Sequence, residues 1–157
     1  MSAAVEELYS LLVPLAEGRL VVPRACIAEV ASYNAPEPVN GAKPWLLGRM
    51  EWNGRTIPLV SFEGACGEAM ARTGPRSRVV VFRSITNVLR AGYFGLVTQG
   101  FPQLVRVNPG VLAPDTASDW PAESPVLCQV RMVNQRPLIP DLELLENMIA
   151  AELDQAA

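Results

Sequence analysis

The 157-residue chain contains no histidine. That removes the Ser-His-Asp and Cys-His nucleophile pairs, imidazole metal ligands and any phosphorelay histidine. Three cysteines remain, Cys26, Cys66 and Cys128. Their odd number and wide spacing fit buried reduced thiols better than a disulfide framework or a zinc site. Carboxylates are the other reactive groups: Glu6, Glu7, Glu51, Glu63, Glu68, Asp115, Asp119, Glu123, Asp141, Glu143 and Glu146. They are scattered among turns and a terminal helix, which fits solvated faces; a general acid–base pair would need two of them to converge. No glycine-rich phosphate loop is present. An enzyme is therefore the reading with least support, and no cofactor or metal is implied.

Half of the residues are apolar and 18% are charged, so a folded core is expected. The length suits one domain, or two small lobes sharing a core. Fourteen prolines and eleven glycines point to many turns between short strands. The net charge is −3, with no interleaved basic and aromatic residues, which weighs against a nucleic-acid partner. No run approaches the ~20 apolar residues of a membrane span. Residues Met1 to Glu7 lack the positive charge that opens a signal peptide. A cytoplasmic protein without membrane insertion is the expectation.

The elements that would position any site are mostly strands. Leu8 to Leu15 and Arg19 to Pro23 form a first hairpin across Ala16-Glu17-Gly18. Arg24 to Val30 suits either a helical turn or a strand. Asn34 to Pro44, with three prolines and Gly41, is a loop. Trp45 to Phe62 is a second hairpin: Asn53-Gly54 can supply the two positive φ values of a type I′ turn. Pro58 marks an edge or a bulge, and Gly48 marks a close backbone approach. Glu63 to Gly74 reads as a short helix, with the helix formers Glu68 to Arg72, and a connector. Strands follow at Arg78 to Phe82, Gly92 to Thr98, Leu104 to Val107 and Val126 to Val133. Residues Ser84 to Arg90 and Asn108 to Pro125 are loops. Asn134-Gln135 turns the chain into Arg136 to Pro140. Asp141 to Leu153 is a helix capped by Asp141, with Leu142, Leu145, Met148, Ile149 and Leu153 along one face. About ten short strands in two groups suggest small barrels.

Several of these segments, in this order, resemble the CheW family of chemotaxis coupling proteins. They are Ile27-Ala28-Glu29-Val30, Leu46-Leu47-Gly48 with Gly54 and Ile57-Pro58-Leu59-Val60, Phe94-Gly95-Leu96-Val97, and Leu138-Ile139-Pro140-Asp141-Leu142-Glu143-Leu144-Leu145. The resemblance covers roughly residues 8 to 146. It implies a mainly β, CheW-like fold: two small SH3-like five-stranded β-barrels around a shared core, with a C-terminal helix. The whole chain 1–157 would be one domain, with lobe one at about 19–76, lobe two at about 8–18 and 77–140, and the helix at about 141–153.

The same resemblance implies a non-catalytic adaptor that couples a chemoreceptor's cytoplasmic tip to the regulatory domain of a CheA-type histidine kinase. Carried over position by position, Ile27, Glu29, Val79 and Phe101 would line the receptor groove. Gly48, Trp52, Asn53 and Gly54 would face the kinase. Trp52 is either a partner anchor or lobe packing, and Trp45 is expected to plug its loop.

The chain departs from the family pattern at three charges. The hairpin arginine is Asn53, and the two Val-Asp positions become Val60-Ser61 and Val97-Thr98-Gln99. In the family that arginine pairs with the glutamate matching Glu29, leaving Arg24, Arg49 and Arg55 as candidate substitutes. Lost surface pairs affect partner choice more than the fold. These departures resemble accessory members attached to type IV pilus and twitching-motility systems. The alternatives are a specialised regulator that binds only one of the two partners, or an unrelated small β-barrel that binds a small ligand.

Overall fold

The computed structural model describes residues 8–108, 113–115, 120–132 and 135–156. Eleven strands and two helices occur among them, in the order β1 (Leu8–Leu15), β2 (Gly18–Pro23), β3 (Ile27–Ser32), β4 (Leu46–Trp52), β5 (Arg55–Val60), α1 (Phe62–Ala65), β6 (Arg78–Arg83), β7 (Tyr93–Thr98), β8 (Gln103–Val107), β9 (Ala113–Asp115), β10 (Val126–Arg131), β11 (Leu138–Pro140) and α2 (Leu142–Ala156). Both readings of the segment after Pro23 occur in turn: a single 3-10 turn over Arg24–Cys26, then β3.

The strands form two sheets, β8-β1-β2-β11-β10-β9 and β3-β6-β7-β5-β4. The mainly β, CheW-like architecture stands, but the expected pair of closed five-stranded barrels does not. One sheet has six strands, and among the described residues neither closes on itself through a ladder. Prolines stand near both openings. The segment between β3 and β4 carries Pro36, Pro38 and Pro44, which have no N–H to give a ladder. Its bridge to β4 joins Glu37 and Arg49, which exchange backbone hydrogen bonds of 2.9 and 2.8 Å. In the other sheet the edge strand β9 is three residues long and centred on Pro114. The sheets also divide the chain differently from the expected lobes: β2 lies with β1, and β6 and β7 lie with β4 and β5.

Alternation along the strands sorts side chains into three apolar layers. Val80, Phe82, Phe94, Leu96 and Val60 of the five-stranded sheet face Val13, Leu20, Val22 and Val126 of the six-stranded sheet. Helix α2 adds the fully buried Leu145 and Ile149 to this shared core, and Phe82 stacks on Phe94 at 5.1 Å. Ile57, Leu59, Val79, Val81 and Val97 form a separate apolar layer on the five-stranded sheet. Leu12, Val21, Val107 and Val130 form one on the other.

Three further segments differ from expectation. Helix α1 is a single turn at Phe62–Ala65, capped by Ser61 through the Gly64 N–H at 3.1 Å, and Gly67 at φ +82° follows it. Residues 68–72 are not helical despite their composition, because that positive φ turns the chain away. The long loop after β8 contains β9, paired with β10. Its proline and lack of apolar alternation hide it in the sequence. Helix α2 extends to Ala156, and its cap is Asp141, whose Oδ1 accepts the Leu144 N–H at 3.0 Å. Val133 and Asn134 lie outside the described residues.

Candidate functional site

The β4–β5 hairpin forms as the sequence predicts. Asn53 and Gly54 hold φ of +49° and +76° at an exposed tip, and Trp52 pairs with Arg55. The tip is fixed from the side. Trp52 packs on Tyr93 at 4.9 Å, the Arg55 guanidinium lies over the same ring at 5.3 Å, and Arg55 donates to the Ala91 carbonyl at 3.4 Å. Gly48 lies lower in the hairpin and is buried. A Cβ there would come within 2.2 Å of the Glu37 carbonyl oxygen, and φ is +150°. Gly48 thus admits the crossing loop, and the hairpin's exposed part is Asn53-Gly54 with the edge of Trp52.

Glu29 on β3 accepts a hydrogen bond from the Trp52 indole N–H at 2.5 Å. None of Arg24, Arg49 and Arg55 substitutes for the missing hairpin arginine; a neutral donor does. The bond joins the two edge strands of the five-stranded sheet, β3 and β4, which no ladder connects. It also joins a residue assigned to the receptor groove with one assigned to the kinase face, so the two expected surfaces meet at this point.

The other groove candidates do not form one patch. Val79 is fully buried in the separate apolar layer of the five-stranded sheet. Ile27 is half-buried against the shared core on the opposite face. Phe101 is 66% exposed beyond β7, with the Arg78 guanidinium 4.6 Å from its ring centre. Of the four, Glu29 and Phe101 present side chains to solvent, and Phe101 is the most exposed large apolar residue described. Trp45 is buried in the shared core.

Among the described residues three carboxylates are buried, two of which the sequence reading assigned to solvated faces. Glu146 of α2 is fully buried and accepts from the Ser84 hydroxyl at 2.5 Å, the Thr86 hydroxyl at 2.6 Å and the Ile85 N–H at 2.8 Å. It thereby fixes the loop before β7, which carries the exposed Ile85 and Val88. Glu63 accepts the Ala16 N–H at 3.0 Å and ties α1 to the first hairpin. Glu152 accepts the Lys43 N–H at 2.8 Å. Glu146 had a signal in the sequence: it lies four residues after Leu142 and three before Ile149, on the apolar face itself. The three cysteines are free and half-buried. Burial pushes the Cys66 thiol up to about 11 against a partly opposing hydrogen bond with Ser124, and Glu68 and Glu63 raise it further. A thiol held neutral in this way is a poor nucleophile.

The described surface carries exposed apolar and aromatic groups, which suit protein contact. Comparison with known proteins agrees with the fold. The family model described as the CheW-like domain matches residues 10–146. A crystal structure described as the scaffolding protein TtCheW from Thermoanaerobacter tengcongensis superposes with a TM-score of 0.72 at 13% identity, over 87% of this chain and 86% of that one. No curated protein sequence matches the chain. With the family model spanning most of its length, the chain belongs to the family of proteins built on the CheW-like domain.

Proposed function

We propose that the protein is a non-catalytic, cytoplasmic adaptor in chemotaxis-type two-component signalling, coupling the cytoplasmic tip of a chemoreceptor to the regulatory domain of a CheA-type histidine kinase. The observation that carries this reading is the match of the CheW-like domain over residues 10–146. The description of TtCheW as a scaffolding protein supports it. On this reading the kinase contact centres on the hairpin tip, with Trp52, Asn53 and Gly54, and Gly48 supports it from below. The receptor contact uses Glu29 and Phe101, with Ile27 and Val79 shaping the sheet beneath them.

A second reading is favoured by Asn53 and Gln99: a specialised regulator, for example in twitching motility, that keeps one of the two contacts. Both positions lack the charge of the family pattern, and charge placement sets partner choice. Calorimetric titration against the kinase regulatory domain and, separately, a receptor cytoplasmic fragment distinguishes the readings. The adaptor binds both and the regulator binds one. Binding to neither by the folded protein contradicts both.

A further inference from the structure

We propose that two copies of this chain join about a two-fold axis, through the groove where the end of α2 and the loop over residues 84–91 meet β4 and β5. Arg49, Pro58, Val88, Arg90, Leu153 and Asp154 bound this groove. Pro58 is buried, whereas the two arginines and Asp154 are exposed.

The charges along the groove are unpaired within one chain. Arg49, Arg90 and Asp154 make no ion pair among the described residues. Asp154 also stands where a carboxylate is least favoured. It lies in the last turn of α2, which contains no basic residue. The free carbonyls that end a helix concentrate negative charge, so a cation is stabilising there and an aspartate is not. Arginine suits that place, because its planar fork binds a carboxylate through two parallel N–H bonds.

Two copies satisfy these groups where one does not. An isologous contact needs a patch in which residue i meets residue j and j meets i. This groove holds both members of such a pair. A two-fold axis sets Arg49 and Arg90 of one copy against the partner's Asp154, and the reverse contact follows by symmetry. An acidic partner of another kind would face Asp154 with like charge, and a basic one would face the arginines, so the mixed signs match a second copy best. The same loop also exposes Ile85 and Val88. Glu146 fixes the start of that loop through Ser84, Ile85 and Thr86. The apolar groups are therefore presented already ordered, which lowers the cost of association. No residue of the hairpin tip takes part, nor does Phe101, and the inference does not depend on the adaptor reading.

Sedimentation velocity over a concentration series tests it. The unaltered protein forms a weak dimer with a Kd on the order of 100 µM, since exposed ion pairs add little each. The double substitution Arg49→Glu and Arg90→Glu weakens self-association by about tenfold or more, and Asp154→Arg alone does the same, because like charges then face each other. Mixing these two variants restores a dimer with one copy of each, because their charges complement again. The inference is overturned if the unaltered protein is monomeric at ~1 mM. It is equally overturned if either variant associates as tightly as the unaltered protein, or if the mixture stays monomeric.

Discussion

At Gly48 a single missing Cβ admits the loop that crosses β4. With the Glu37 carbonyl 2.2 Å from where that carbon would stand, Gly48→Ala must displace backbone and also hold an unfavourable φ of +150°. It is expected to cost at least about 2 kcal/mol in urea unfolding, whereas Gly41→Ala, at φ +82° in open space, costs about 1 kcal/mol. Equal losses would mean that the close approach carries no energy. The role of Gly48 was legible, because a glycine inside an apolar strand announces a close neighbour. The partner of Glu29 was not: its bond to Trp52 spans 23 residues and joins two edge strands that no ladder connects. Trp52→Phe keeps the packing on Tyr93 and removes that bond, so it should cost no more than about 1 kcal/mol. Cys66 supplies a pH test. Its thiol ionises at about 11 in the fold and near 9.0 when unfolded. The unfolded chain therefore gives up its proton first, and the contribution of Cys66 to stability, complete below pH 9, is lost as the pH rises toward 11. Native Cys66 should resist iodoacetamide at neutral pH and react once the protein is denatured, as peptide mapping can show.

At the scale of elements, α2 and the loop over residues 84–91 act as a unit through Glu146. Glu146→Ala leaves the Ile85 and Thr86 N–H groups and the Thr86 hydroxyl without that acceptor, while the Ser84 hydroxyl keeps the Thr86 carbonyl. The loss is expected to be about 3 kcal/mol or more, and amide exchange should quicken across residues 84–91. Glu146→Gln retains an acceptor and should cost less. A loop that exchanges no faster in Glu146→Ala would contradict the clamp. Strand and helix positions were readable wherever apolar spacing was regular, as in β1, β5, β7 and α2. They were not readable where pairing alone makes the element. β9 is a strand only because β10 lies beside it, and residues 68–72 lose their helical tendency to the turn at Gly67.

At the scale of the molecule, two curved sheets share one core, and each keeps a second apolar layer of its own. The sequence pointed to two β groups and a shared core. It did not show that β2, paired with β1 on one edge, pairs in parallel with β11 on the other, since parallel contacts between distant strands leave no local signature. The hairpin tip was legible because Asn-Gly turns are local, and the turn at Asn53-Gly54 forms. The groove was not, because the burial of Val79 depends on which face of β6 turns inward. The remaining question is whether one chain engages two partners at once. The most direct measurement is sedimentation of a receptor cytoplasmic fragment and a kinase regulatory domain with and without the protein. The adaptor account predicts a ternary species that forms only when all three are present and is lost when both Trp52→Ala and Phe101→Ala are introduced. Two binary complexes that compete for the protein, with no ternary species, would contradict it.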